Sequence, residues 1–335
     1  MRAHALKWTH YRAPWWLPGG NVQTIWAALA ARRHVGEKPG WRRERWSSPD
    51  GDFVDVDHAV HEVRTGAPLL VLFHGLEGSS SSQYAVAFAD MARQRGLAMA
   101  VPHFRGCSGE LNWAPRAYHS GDFEEIDWIL RRFAAEHPQR PLLAVGVSLG
   151  GNALLRWAGE MGEVASKTTS AVAAVCSPLD LAAGGQAIGQ GFNRLVYTRM
   201  FLNTMVPKAL EKLQQHPGLF ERDALLSARD LYAFDNVFTA PLHGFRDTQD
   251  YWSRASAKPL LKSIRVPALA LNALNDPFVP AASLPCAQDA SSHVSLWQPR
   301  DGGHVGFPCA KALTDFPGHV QWMPQAVGAW LLAQI

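Results

Sequence analysis

Gly146-Val147-Ser148-Leu149-Gly150 spells G-x-S-x-G, and its setting gives the pattern force. An apolar run, Pro141-LLAVGV-Ser148, leads straight into it, and a helical stretch over Asn152–Gly159 leaves it. A serine on such a strand-to-helix turn occupies a strained position, and its neighbours must be glycine to avoid clashes. Gly151 lets the outgoing helix pack close to the strand. The start of that helix puts positive potential near the serine oxygen. Ser148 is therefore the expected nucleophile. The rival reading, a phosphate-binding turn, lacks both G-x-x-x-x-G-K-[ST] and G-x-G-x-x-G spacing here.

A serine hydroxyl needs a base to become nucleophilic, and the base needs an orienting acid. A serine of this kind is followed along the chain by its acid and then its histidine. Asp276 fits the acid, because it directly follows the apolar run Val266-PALALNAL-Asn275 and Pro277 stiffens its loop. His304 fits the base, in Gly302-Gly303-His304-Val305-Gly306 after the last apolar run. The rival acids are Asp289 and Asp301, and the rival bases are His293 and His319. His293 precedes the last strand, at the wrong edge; His319 falls in the terminal helical region; Asp301 is too near His304 to orient it.

Acyl transfer also needs two backbone N–H donors for the oxyanion. One is expected from Leu149, next to the nucleophile. The other is expected from Leu76 in His74-Gly75-Leu76-Glu77-Gly78, which follows the first apolar run. His74 is read as holding that loop by hydrogen bonds, Arg105 as tying loops through ion pairs, and Cys107 as a small buried side chain.

These loops need elements to carry them. Trp41–Ser48, a turn at Pro49-Asp50-Gly51-Asp52 and Phe53–Val60 predict a β-hairpin. Strands are predicted at Pro68–His74, whose continuous apolar run fits burial on both faces, at Leu97–Pro102 and Pro141–Ser148, also buried, and at Ala171–Ser177, Val266–Asn275 and Val294–Gln298. Helices are predicted near Gln23–Arg33, over Tyr84–Arg95 and Phe123–Glu136, and over Phe316–Ile335. Alternation of strand and helix gives an α/β chain with a mostly parallel, doubly wound sheet. The rhythm breaks over residues 180–262, which are helical (Phe192–Gln215 and Glu221–Asp230). They predict a cap over the strand ends, inserted into a core of residues 41–179 and 263–335. Residues 1–40 form an N-terminal extension. Phe192, Leu195, Val196, Tyr197, Met200, Phe201, Leu202 and Met205 make an apolar stripe in the cap, either lining a pocket or packing the cap down.

With 335 residues, 47% hydrophobic and 18% charged, the composition suits a large globular core. A net charge of +3 gives no pointer to nucleic acid. The N-terminus is basic and tryptophan-rich, with Arg2, Lys7, Arg12, Arg32, Arg33, Lys38, Arg42, Arg43 and Arg45 interspersed with Trp8, Trp15, Trp16, Trp26, Trp41 and Trp46. It is expected to pack on the core; peripheral membrane contact is the alternative. The four cysteines, Cys107, Cys176, Cys286 and Cys309, form no C-x-x-C pair, and no apolar stretch reaches membrane-spanning length. Together these predict free thiols, a cytoplasmic setting, and no metal or organic cofactor.

The chain resembles the α/β-hydrolase superfamily and, more narrowly, its YheT-like esterases. The narrower resemblance rests on Trp15-Trp16-Leu17-Pro18-Gly19-Gly20-Asn21-Val22-Gln23-Thr24, the His74–Gly78 loop, Phe104-Arg105-Gly106-Cys107-Ser108-Gly109-Glu110, the elbow through Asn152, and the Asn275–Phe278 and Gly302–Phe307 loops. The elbow marks only the superfamily; the Gln-Thr stretch and the Phe-Arg-Gly-Cys-Ser-Gly loop are more specific. Asn21 departs from the histidine expected in many relatives. The resemblance implies a carboxylic ester hydrolase with Ser148, Asp276 and His304 as its triad. The substrate expected is a small-molecule ester with an apolar acyl or alcohol group. An acyltransferase, thioesterase or lipid-specific hydrolase on the same triad is the first alternative. A membrane-associated binding protein with weak catalysis is the second.

Overall fold

The computed structural model describes residues 11–310 and 315–335. Arg2, Lys7 and Trp8 of the basic segment lie outside the described residues.

Eight strands form one sheet: β1 (Gly40–Ser47), β2 (Phe53–Val60), β3 (Leu69–Phe73), β4 (Ala98–Pro102), β5 (Leu142–Val147), β6 (Ala171–Val175), β7 (Ala268–Leu271) and β8 (Val294–Trp297). Their order is β1-β2-β4-β3-β5-β6-β7-β8. β1 and β2 form the expected antiparallel hairpin, and β2 pairs antiparallel with β4. Every pair from β4 to β8 is parallel.

Side chains alternate across each strand. The first four helices are α1 (Gly19–Leu29), α2 (Gln83–Arg95), α3 (Phe123–Glu136) and α4 (Leu149–Met161). In β3, Leu69, Val71 and Phe73 enter one core, with Ile126, Ile129 and Phe133 of α3 and Leu154, Leu155 and Trp157 of α4. Leu70 and Leu72 enter the other, with Phe88 and Met91 of the helix Gln83–Arg95 and with Val327 and Leu331 of the helix Trp322–Leu332. Burial on both faces explains the continuous apolar runs.

Register aligns the loops that matter. Phe73 pairs with Gly146, so Gly75 comes abreast of Ser148. Val147 pairs with Val175 and Val175 with Leu271, so the turns after β5, β6 and β7 leave one edge of the sheet. Between β6 and β7 the chain runs through the 17-residue helix Arg199–Gln215 and shorter ones, including Leu181–Ile188, Leu231–Val237 and Thr248–Ala255.

Several boundaries differ from expectation. The first helix spans Gly19–Leu29, not Gln23–Arg33. Its end is fixed where Arg32 instead forms a bridge with His319. α4 starts at Leu149, directly after the serine, rather than at Asn152. The C-terminal helix starts at Trp322, not Phe316, because residues 315–321 hold a turn and the bridges of His319 to Arg32 and Cys309. β7 ends at Leu271, where Asn272 turns to bond the Ser177 carbonyl.

The N-terminal tryptophans pack inward for the most part. Trp16 and Trp26 meet edge to face, Trp26 bonds the Pro317 carbonyl, and Trp46 is buried against Trp128 and Phe133. Arg43 and Arg45 are committed to ion pairs with Asp57 and Asp55. Trp15 remains 79% exposed. Among the described residues no helix is long and apolar enough to cross a membrane.

Candidate active site

Ser148 stands between β5 and α4 with φ 53°, a left-handed conformation costly for a residue with a side chain. Its amide bonds the Val175 carbonyl at 2.8 Å, which ties the turn to β6. The glycines follow from crowding. A Cβ on Gly150 would sit 2.5 Å from the His74 carbonyl oxygen, and one on Gly151 1.9 Å from Ser177 Oγ.

His304 Nε2 lies 3.0 Å from Ser148 Oγ. His304 Nδ1 lies 2.9 Å from Asp276 Oδ2 and 3.1 Å from Oδ1. The carboxylate accepts the Nδ1 proton, which leaves the Nε2 lone pair facing the serine. Asp276 is buried, and its Oδ1 also accepts the amides of Phe278 at 2.8 Å and Val279 at 3.2 Å. The Phe278 ring stands 4.2 Å from the imidazole. Beside them the Cys176 thiol is held well above its ordinary pKa, first by burial and then by the neighbouring Asp276 charge, so it stays neutral.

The imidazole loop is gripped from outside. Gln23 Oε1 accepts the Gly302 amide at 2.8 Å, Asn275 Oδ1 accepts that of Gly303 at 2.9 Å, and Thr24 Oγ1 accepts that of His304 at 2.8 Å. Gln23 Oε1 also accepts Asn275 Nδ2 at 3.0 Å, and Thr24 donates to the Gly20 carbonyl at 2.7 Å. Three consecutive amides thus meet three side-chain oxygens. The Gln-Thr stretch was visible in the sequence, but its contact with a loop so distant along the chain was not. Asn21 accepts the Tyr197 hydroxyl at 2.9 Å, and the Tyr197 ring lies 4.5 Å from Phe278.

Leu76 and Leu149 line the same cavity as Ser148 and His304. Around Leu76, the Gly75 amide donates to Tyr84, the Glu77 amide to the Tyr118 hydroxyl and the Gly78 amide to the Gly75 carbonyl. Among the described residues the Leu76 and Leu149 amides have no protein acceptor. His74 holds the loop through its tautomer: Nδ1 donates to the Gly75 carbonyl at 2.8 Å and Nε2 accepts the Phe104 amide at 3.0 Å. Burial lowers its pKa to about 3.

Sequence reasoning missed the support under this loop. Glu77 has φ 55° and packs its carboxylate against the Tyr118 hydroxyl at 2.9 Å. Its second oxygen pairs at 2.9 Å with Lys208, on the helix Arg199–Gln215. Arg105 joins Asp50, Asp52 and Glu125, as expected of a loop tie. Cys107 is buried away from the cavity wall, and burial raises its pKa to about 12.

The rivals lie elsewhere. Asp289 caps a short turn at Cys286, and His293 precedes β8. Among the described residues Asp301 receives only a long bond, 3.5 Å, from Asn275, and His319 sits in the bridges described above.

The apolar stripe splits. Phe201 and Met205 line the cavity, but Phe192, Leu195 and Met200 are exposed. A π-helical turn over Arg194–Thr198 precedes the helix Arg199–Gln215 and shifts the phase that a uniform 3.6-residue period assumes. The cavity wall is completed by Ile188, Leu231, Phe234 and Phe238.

The family model for the alpha/beta hydrolase fold matches residues 68–308, and the chain belongs to that family. It is 38% identical to YheT of Escherichia coli over 315 residues, covering 93% of this chain and 89% of that protein. It is 30% identical to the mouse phospholipase ABHD3, covering 89% and 73%, and 28% identical to a monoacylglycerol lipase of Saccharomyces cerevisiae, covering 79% and 59%. Among solved structures it is similar in fold to the Pyrococcus furiosus esterase Pf2001, with a TM-score of 0.54 at 14% identity, covering 91% and 99%.

Proposed function

We propose that this hydrolase cleaves carboxylic esters through Ser148, His304 and Asp276 and an acyl-enzyme intermediate. The reading rests on one observation: the imidazole spans the 3.0 Å to Ser148 Oγ and the 2.9 Å to Asp276 Oδ2 at once. His304 takes the hydroxyl proton as Oγ attacks the carbonyl carbon. The amides of Leu76 and Leu149 receive the oxyanion, each worth roughly 3–4 kcal/mol in the barrier. His304 then protonates the departing alcohol. Water, losing its proton to the same imidazole, attacks the acyl carbon, and the acid leaves as the imidazolium returns that proton to Ser148 Oγ. The names of the lipase and phospholipase relatives support an ester with an apolar portion.

Residues 180–262 act in this reading as the cap that shapes the cavity. Free thiols at Cys107, Cys176, Cys286 and Cys309 support a reducing compartment, the cytoplasm.

The test is labelling with a fluorophosphonate together with p-nitrophenyl ester turnover. The wild-type chain should label and turn over. Ser148→Ala should lose the label and at least about a thousandfold in kcat while keeping its melting temperature. Undiminished turnover by the variant rules the reading out.

A further inference from the structure

The cavity at Ser148 carries a polar wall that the ester chemistry leaves unused. Most of its lining is aliphatic or aromatic, yet Asp235, His119 and Tyr251 all face into it. Asp235 accepts Thr239 Oγ1 at 2.6 Å on one oxygen and Trp252 Nε1 at 2.9 Å on the other. A carboxylate oxygen accepts two bonds, so each keeps an open site. Among the described residues Asp235 forms no ion pair.

His119 supplies the complementary group. Its Nδ1 accepts the Gly121 amide at 3.1 Å, so the neutral ring carries its proton on Nε2. Among the described residues that N–H meets no protein acceptor; the ring packs between His243, Phe245 and Tyr251. The Tyr251 oxygen accepts the Ser120 amide at 2.9 Å, which leaves its own proton to give. The lining therefore offers an acceptor and two donors in a mostly apolar chamber. Such groups are costly to leave unpaired and are the means by which apolar pockets orient a ligand.

The chemistry of the wall selects the ligand. Among the described residues no lysine or arginine lines the cavity, so none of these compensates a phosphate or free carboxylate there. An ammonium would suit Asp235 but not the N–H of His119. A hydroxyl can donate to the carboxylate and accept from the imidazole. We propose that Asp235 and His119 form a subsite for a hydroxyl group of the substrate, so that the preferred ester is neutral and hydroxylated. This rests on the ester-hydrolase reading of Ser148. The hydroxyl can belong to the acyl chain or to the alcohol, as in a monoacylglycerol.

Two substrate pairs separate those sources. One compares p-nitrophenyl hexanoate with its ω-hydroxy analogue. The other compares a monoacylglycerol with the propyl ester of the same acid. In at least one pair the wild-type chain should favour the hydroxylated partner by about tenfold or more in kcat/KM. Asp235→Asn and His119→Phe should each bring that ratio close to one. Equal rates within both pairs, a preference that survives both substitutions, or stronger preference for an ω-amino ester overturns the subsite. The wild-type comparison decides even if a variant does not fold. Absence of any ester turnover and of fluorophosphonate labelling counts instead against the reading of Ser148; turnover without hydroxyl preference counts only against the subsite.

Discussion

Thr24 Oγ1 accepts the backbone amide of His304 at 2.8 Å, across 280 positions of sequence. The bond fixes the loop that carries the proposed base, without touching the imidazole. Thr24→Val removes the acceptor and leaves a buried N–H unpaired. Because near-attack geometry is sensitive to displacements of about 1 Å, kcat should fall roughly ten- to a hundredfold with little change in KM. Thr24→Ser keeps the hydroxyl and should restore most of the rate. Steady-state kinetics of the two variants check this; equal losses in both would remove the hydroxyl from the explanation.

A second prediction concerns the proposed oxyanion loop. Lys208 reaches from the helix Arg199–Gln215 to Glu77, the residue after Leu76, at 2.9 Å, and the Glu77 side chain is only 9% exposed. Lys208→Met strands that carboxylate without its cation. We expect about a tenfold loss in kcat, with Lys208→Arg recovering activity. The drop should appear in kcat on short esters as well as long ones, which distinguishes loop placement from lost acyl contacts.

Acid should weaken the fold through His74. Its pKa is lowered by burial to about 3, against about 6.5 in an unfolded chain. The unfolded state takes up the proton first, so stability is full above pH ~6.5 and drains away as pH falls toward ~3. The loss approaches the order of 4 kcal/mol, since protonating Nε2 also destroys its bond from the Phe104 amide. Asp235, raised by burial to about 6, acts in the opposite sense: its contribution declines as pH rises from about 4 through 6. Urea titrations of wild type and His74→Gln between pH 7 and pH ~4 should converge as the pH is lowered.

Arg105 should be intolerant of substitution. Its side chain is 4% exposed and joins Asp50, Asp52 and Glu125, of which Asp52 and Glu125 are buried. Arg105→Met leaves buried acids facing one another, a loss of roughly 3–5 kcal/mol. Arg105→Lys keeps a charge but not the fork that serves three acids, and should fall between. Chemical denaturation measures both.

The centre of the sheet was readable because its strands are buried on both faces: five consecutive apolar residues at Leu69–Phe73 admit few other interpretations, whereas the edge strands β1 and β8 are only partly buried. The pattern points to Ser148 and Asp276 because each directly follows such an apolar run, and to His304 because its glycine-flanked loop comes after the last strand. What local pattern could not reveal was side chains meeting across the whole chain. Gln23, Thr24, Glu77 and Lys208 each look like ordinary surface polar residues until the fold pairs them. The phase of the helices between β6 and β7 was also hidden, since nothing in Arg194–Thr198 announces a wider turn. Asp235 lies among apolar residues of a short helix, and its place on the cavity wall depends on how several helices pack.

The grip of Gln23 and Thr24 on the 302–304 loop also bears on biosynthesis. A ribosome delivers these two residues well before residues 302–304, so the proposed base cannot be seated until that loop has been made. Until then the growing polypeptide can carry its serine turn, with β5 and α4 in place, yet lack the imidazole proposed to activate it. A cleavage that detached the first helix would release the same grip, and with it the proposed reactivity.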